Sequence, residues 1–254
     1  MLLIFPSIEI TRGNCVELVH GEPGSERTYS VDPVEMAVLW RGENAKTLHV
    51  IDLDGVADGR IRNLEIIRGM VQAVDIPIQV GGGVRSEQDI RSLFEVGVYR
   101  VVMGTAAFEN PGFVEGLVAT YGTRKIAAVI ESWGGRIRTA GGRKESALSP
   151  LEGALLMKSI GISRILYSAV DPSTKSKALD LDGLRTIANG TSLRITAQGG
   201  VKDYKDLIAL QALEPVGVDS VIIGRPLYEN RFPCQRLWRI NEQHLTDLGP
   251  TRRM

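Results

Sequence analysis

The chain has few cysteines, few histidines, no excess charge of either sign and no long apolar run, and each shortage removes a class of protein. Two cysteines, Cys15 and Cys234, in 254 residues are too few and too far apart for a disulfide framework or a thiolate metal cluster. The three histidines, His20, His49 and His244, have no metal-ligand spacing, so no bound metal is expected. Thirty Lys and Arg against thirty Asp and Glu leave a formal net charge of 0, which offers no field to nucleic acid or to an anionic membrane. The apolar opening from Met1 to Ile8 lacks a basic start and stops at Glu9, short of a signal peptide or a membrane span. A cytoplasmic monomer is expected, in which any anion binding is local.

Glycine, by contrast, is plentiful and patterned. The run Ile78-Gln79-Val80-Gly81-Gly82-Gly83-Val84 is followed by a helical pattern and an apolar strand that ends at Gly104-Thr105. The run Ile195-Thr196-Ala197-Gln198-Gly199-Gly200-Val201 is followed by the same sequence of events, ending at Gly224-Arg225. Glycine lets backbone amides approach an anion, and a helix start just beyond adds partial positive charge. Gly82, Gly83, Gly104 and Thr105 therefore form one candidate phosphate cradle, with Arg85 at its edge. Gly199, Gly200, Gly224 and Arg225 form a second, and two cradles fit a ligand with a phosphate at each end. The strand openings correspond as well: Leu3 to Ile8 leads to Glu9, and Ile126 to Ile130 leads to Glu131. This is a repeat of half the chain, divided at about residues 1–122 and 123–245.

Strand-like runs near residues 2–8, 47–53, 76–80, 99–103, 125–130, 163–168, 193–197 and 219–223 alternate with helical patterns such as 63–73, 87–96, 150–160 and 203–210. Eight strand-helix units point to an α/β fold, a single-domain (β/α)8 TIM barrel made of two half-barrels, with a frayed tail at 248–254. An open doubly wound sheet is disfavoured, because no Gly-x-Gly-x-x-Gly follows a strand. Function then belongs at the carboxyl ends of the strands, where Glu9 and Glu131 stand. The alternative use of those two carboxylates is ion pairing with Arg12, Arg136 or Arg138. Asp52 and Asp54, beside Gly55, read as turn-fixing acids.

The runs Leu48-His49-Val50-Ile51-Asp52-Leu53-Asp54-Gly55, Val80 to Ser86, Val102-Met103-Gly104-Thr105-Ala106 and Val221-Ile222-Ile223-Gly224-Arg225 resemble the barrels of histidine and tryptophan biosynthesis. The likeness is greatest to the histidine-pathway isomerases. It implies an Amadori rearrangement of a bisphosphorylated phosphoribosyl-aminoimidazole carboxamide ribotide, an aminoaldose becoming an aminoketose, without metal or organic cofactor. It further implies Glu9 as base and Glu131 as acid, at positions where the family has aspartate, with Ser168 assisting. Other departures are Ala169 in place of an acid, Glu17 in place of an arginine, and a fifth loop, Thr139 to Glu145, without the usual tryptophan, Trp133 standing earlier. The rival readings are a paralogue acting on another phosphorylated ribotide and a noncatalytic phosphosugar-binding barrel.

Overall fold

A computed structural model describes residues 2–18, 25–174 and 176–232; His20, Cys234, His244 and the tail from 248 lie outside them. Eight parallel strands form the frame: β1 (Leu3–Thr11), β2 (Leu48–Asp52), β3 (Ile78–Gly81), β4 (Arg100–Met103), β5 (Ile126–Trp133), β6 (Arg164–Asp171), β7 (Arg194–Gln198) and β8 (Val218–Ile223). Each pairs with the next, and β8 returns to β1 from Leu3↔Ser220 to Pro6↔Ile223, so the sheet closes on itself. The expected (β/α)8 barrel is present. Among the described residues no helix is long and apolar enough to cross a membrane.

The expected strands differ from the observed ones chiefly at the carboxyl ends of β1, β5 and β6, which run on to Thr11, Trp133 and Asp171. Each extension is paired antiparallel with an accessory strand: Asn14–Leu18, Arg136–Thr139 and Ser176–Ala178 respectively. The extensions mix polar with apolar residues, of which Ile10 and Val170 are still buried, while backbone pairing continues.

Two apolar clusters hold the barrel. The larger lies between sheet and helices, where Ile67, Met70, Ile90 and Leu93 turn fully buried faces inward. The smaller fills the interior with Phe5, Val102, Ala127, Leu166 and Ile222, and with Val129 packed against them. Because side chains alternate along a strand, the inward face that carries Phe5 also carries Ser7 and Glu9. The face of Ala127 and Val129 likewise carries Glu131 and Trp133, and that of Leu166 carries Ser168. The opposite end of the barrel is sealed by polar groups. Arg164 donates to Asp219 Oδ1 and Oδ2 at 2.6 and 2.7 Å and to Thr196 and Ser220 at 2.9 Å. Burial works to raise the Asp219 carboxyl, but these bonds and the Arg164 charge hold it below the usual range.

The two glycine doublets have matching geometry. Gly82 and Gly83 have φ of 97° and 72°, and Gly199 and Gly200 have φ of 82° and 77°, values that L side chains adopt with strain. Three residues beyond each doublet a capping box opens the next helix, Ser86 with Asp89 before Glu87–Glu95, and Asp203 with Asp206 before Tyr204–Gln211. The second glycines also match, Gly104 at φ −102°, ψ −96° and Gly224 at φ −105°, ψ −105°, each capping a short helix, Thr105–Glu109 or Arg225–Tyr228.

Candidate active site at the barrel mouth

Asp52 and Asp54 are structural. Asp52 is fully buried and accepts from the amides of Gly55, Arg62 and Asn63 at 2.8, 2.7 and 2.9 Å. Asp54 accepts from the Thr11 hydroxyl at 2.6 Å and the Arg12 amide at 2.8 Å, tying the second loop to the tip of β1. The turn-fixing role read from the sequence is the one observed for Asp52; Asp54 instead holds Thr11, Arg12 and Asn63.

Glu9 and Glu131 both face the mouth, on strands that stand opposite each other in the ring of eight. Glu131 Oε1 accepts from the Trp133 indole Nε1 at 3.1 Å, and the Arg138 guanidinium lies over the Trp133 ring at 4.7 Å from its centre. Ser168, buried, is the register neighbour of Glu131 across the β5–β6 pair. The arginines considered as ion-pair partners are engaged elsewhere: Arg12 with Glu26, Arg138 with Glu145, and Arg136 with the Ala147 carbonyl. Trp133 is a partner of Glu131 that sequence reading did not credit. The available signal was its spacing of two from Glu131, which puts both on one face of a strand.

Around the first cradle, the fifth loop crosses over to β4. The Ala140 amide donates to the Thr105 hydroxyl at 2.9 Å, while the Gly142 Cα hydrogen faces Trp133 and Glu131. Replacing Thr105 by Ala removes that acceptor, and we expect a loss of ~1 kcal/mol in urea titration. Faster proteolysis within 140–143 is expected with it. Arg85 stands at the helix start: its amide donates to Asp89 at 3.3 Å and its guanidinium covers Gly59.

At the second cradle the sixth loop lies over the doublet, with Lys177 against Gly199 and the Ala178-Leu179 backbone against Gly200. Lys177 was not singled out by the sequence, yet its charge is felt at both His49 and Glu17. His49 sits below the mouth, fully enclosed, and burial pushes its pKa down to about 3, with Lys177 adding to the effect. It is neutral at ordinary pH and bonds Gln79 at 3.1 Å.

Glu17, on the accessory strand Asn14–Leu18, reaches the same cradle. Its Oε1 is 3.4 Å from Arg225 Nε, and its Oε2 lies 3.4 Å from where a Gly224 Cβ would stand. Burial, and then the charge of Glu9, push its pKa up to about 7, against the pull of Arg225 and Lys177. The placement follows from topology. Pairing of β1 with β8 ends at Pro6↔Ile223, and the accessory strand takes over that edge of β1 at Glu9↔Val16.

Comparison with known proteins agrees with this arrangement. The family described as histidine biosynthesis protein matches residues 3–233. A protein of Chloroherpeton thalassium is 41% identical over 245 residues, 96% of this chain and 94% of its own. One of Salinibacter ruber is 41% identical over 249 residues, 98% and 96% of the two chains, and one of Prosthecochloris aestuarii is 42% identical over 237 residues, 93% and 91%. All three are named as isomerases of an imidazole-4-carboxamide that bears two 5-phosphoribosyl groups. With the match running through all eight strands, the chain belongs to the histidine biosynthesis protein family.

Proposed function

We propose that this protein is the aldose–ketose isomerase of histidine biosynthesis, acting as a cytoplasmic monomer on the imidazole-carboxamide ribotide with two phosphoribosyl groups. The observation that carries the reading is the pair of carboxylates, Glu9 and Glu131, at the ends of opposite strands between two glycine cradles of matching backbone geometry. One phosphate is assigned to Gly82, Gly83, Gly104 and Thr105 with Arg85 nearby, the other to Gly199, Gly200, Gly224 and Arg225. Backbone amides at a helix start have no partner inside the helix and point toward such an anion.

Between the phosphates the chemistry needs one acid and one base. Glu131, protonated, gives its proton to the ring oxygen of the aminoaldose as the nitrogen lone pair expels that oxygen, opening the ring to an iminium. Glu9 removes the proton from the adjacent carbon, and the electron pair left behind neutralises the iminium to give an enolamine. Glu9 then returns that proton to the first carbon while the hydroxyl on the second carbon gives its proton to the Glu131 carboxylate, which yields the aminoketose and restores both side chains to their starting states. Trp133 fixes the Glu131 carboxyl, and the Ser168 hydroxyl stands beside it to hold a substrate oxygen. The test is incubation with the ribotide, followed by absorbance and chromatography. Conversion to the aminoketose is expected. Tight binding without conversion would make the barrel a phosphosugar-binding protein, and absence of binding would assign it another ribotide.

A further inference from the structure

The second cradle contains something a phosphate site should not: a carboxylate. Glu17 Oε1 faces Arg225 Nε at 3.4 Å, and Oε2 is enclosed, beside Gly224, with no hydrogen-bond partner among the described residues. A dianionic phosphate on Gly224 and Arg225 would meet this carboxylate at contact distance, and two anions so placed repel unless a proton lies between them. Resting on the assignment of a phosphate to this cradle, we infer that Glu17 is a specificity-determining residue. It makes anion binding at Gly224 and Arg225 proton-linked, the ligand being held when the Glu17 carboxyl carries a proton and donates it to a phosphate oxygen.

The charged and titratable groups around Glu17 come from every element packed on it. Glu9 stands on β1, Cys15 on the same accessory strand, Arg27 and Tyr29 on the neighbouring strand Glu26–Ser30, Arg225 on the short helix Arg225–Tyr228 and Lys177 on the sixth loop. Arg27 is turned to Glu229 at 3.6 Å, and among the described residues Arg225 and Lys177 are the cations that act on Glu17. They do not offset burial and Glu9, so the carboxyl titrates at about 7. A bound anion raises that value further. Below pH 7 Glu17 already holds its proton and affinity is flat. Above it, binding must take up a proton, and affinity falls with rising pH.

Sulfate is the probe, because it is a dianion that does not titrate in this range. The Gly104 and Gly224 amide resonances report the two cradles separately. In the wild type, sulfate affinity read at Gly224 is expected to drop ~10-fold between pH 6 and 8, while that read at Gly104 stays constant. In Glu17→Gln, which keeps the shape and a hydrogen-bond donor, the Gly224 affinity should be independent of pH and tighter than wild type at pH 8. Equal, pH-independent affinity at Gly224 in both proteins overturns the inference, as does a response at Gly104 with none at Gly224 in either. Silence at both amides overturns it together with the two-phosphate assignment, whereas ribotide turnover tests the proposed function separately.

Discussion

Changing either Glu9 or Glu131 to Gln is expected to lower ribotide turnover by ~100-fold or more while ribotide affinity stays within a few-fold of wild type. The amide has nearly the size of the carboxyl but neither gives nor takes a proton at ordinary pH. Binding energy, on this reading, is supplied by the cradles and not by the two carboxylates, so affinity and chemistry should separate. Glu131→Gln is a clean test because its side-chain oxygen still accepts from the Trp133 indole, at 3.1 Å in the native protein. Both variants are measured by single-turnover kinetics and equilibrium binding, with urea titration alongside. Variants that keep turnover but lose stability would return both residues to a structural role.

The fold and the placement of much of the candidate site were legible in the sequence, for identifiable reasons. Short continuous apolar runs, several of them ending in glycine, give strands, and eight of them with helices between leave few architectures other than a closed barrel. The recurrence of the doublet, the second glycine and the strand-ending glutamate located the mouth before any geometry was known. Asp52 was readable because an acid beside Gly55 has a local task, whereas the reach of Asp54 to Thr11 and Arg12 has no local signature. The rest rests on contacts without a local signature. Glu17 and Gly224 meet only because an accessory strand replaces β8 along the edge of β1, and no spacing along the chain encodes that exchange. The seal at the other end of the barrel is similar: Arg164, Thr196, Asp219 and Ser220 converge from three strands, and each alone looks like an ordinary polar residue at a strand start. Lys177 lies in a loop whose path is set by what it packs against.

That packing reassigns part of what the glycines do, and it does so measurably. An ideal Cβ on Gly200 would lie 2.1 Å from the Leu179 nitrogen and 2.3 Å from the Ala178 carbonyl carbon, and one on Gly82 would lie 2.3 Å from the Asp52 oxygen. In both halves the obstacle is backbone, Asp52 at the end of β2 in the first and Ala178-Leu179 in the second, which cannot swing aside as a side chain can. Gly135, in the hairpin after β5, has φ of 82° and nothing within 4 Å of its Cβ position, so it isolates the cost of the backbone conformation alone. Gly135→Ala is expected to cost ~1 to 2 kcal/mol, the penalty of a left-handed residue with a Cβ. Gly82→Ala and Gly200→Ala carry that penalty plus ~1 to 3 kcal/mol of overpacking, for a total of ~2 to 5 kcal/mol each. Denaturant midpoints for the three variants decide the matter. If all three lose the same amount, the doublets are glycine for their φ angles and for access of an anion. If the doublet variants lose more, as expected, they also hold the second and sixth loops in place. Lys177, on that sixth loop and pressed against Gly199, should then be displaced in Gly200→Ala, and the Glu17 titration should move upward as its cation withdraws.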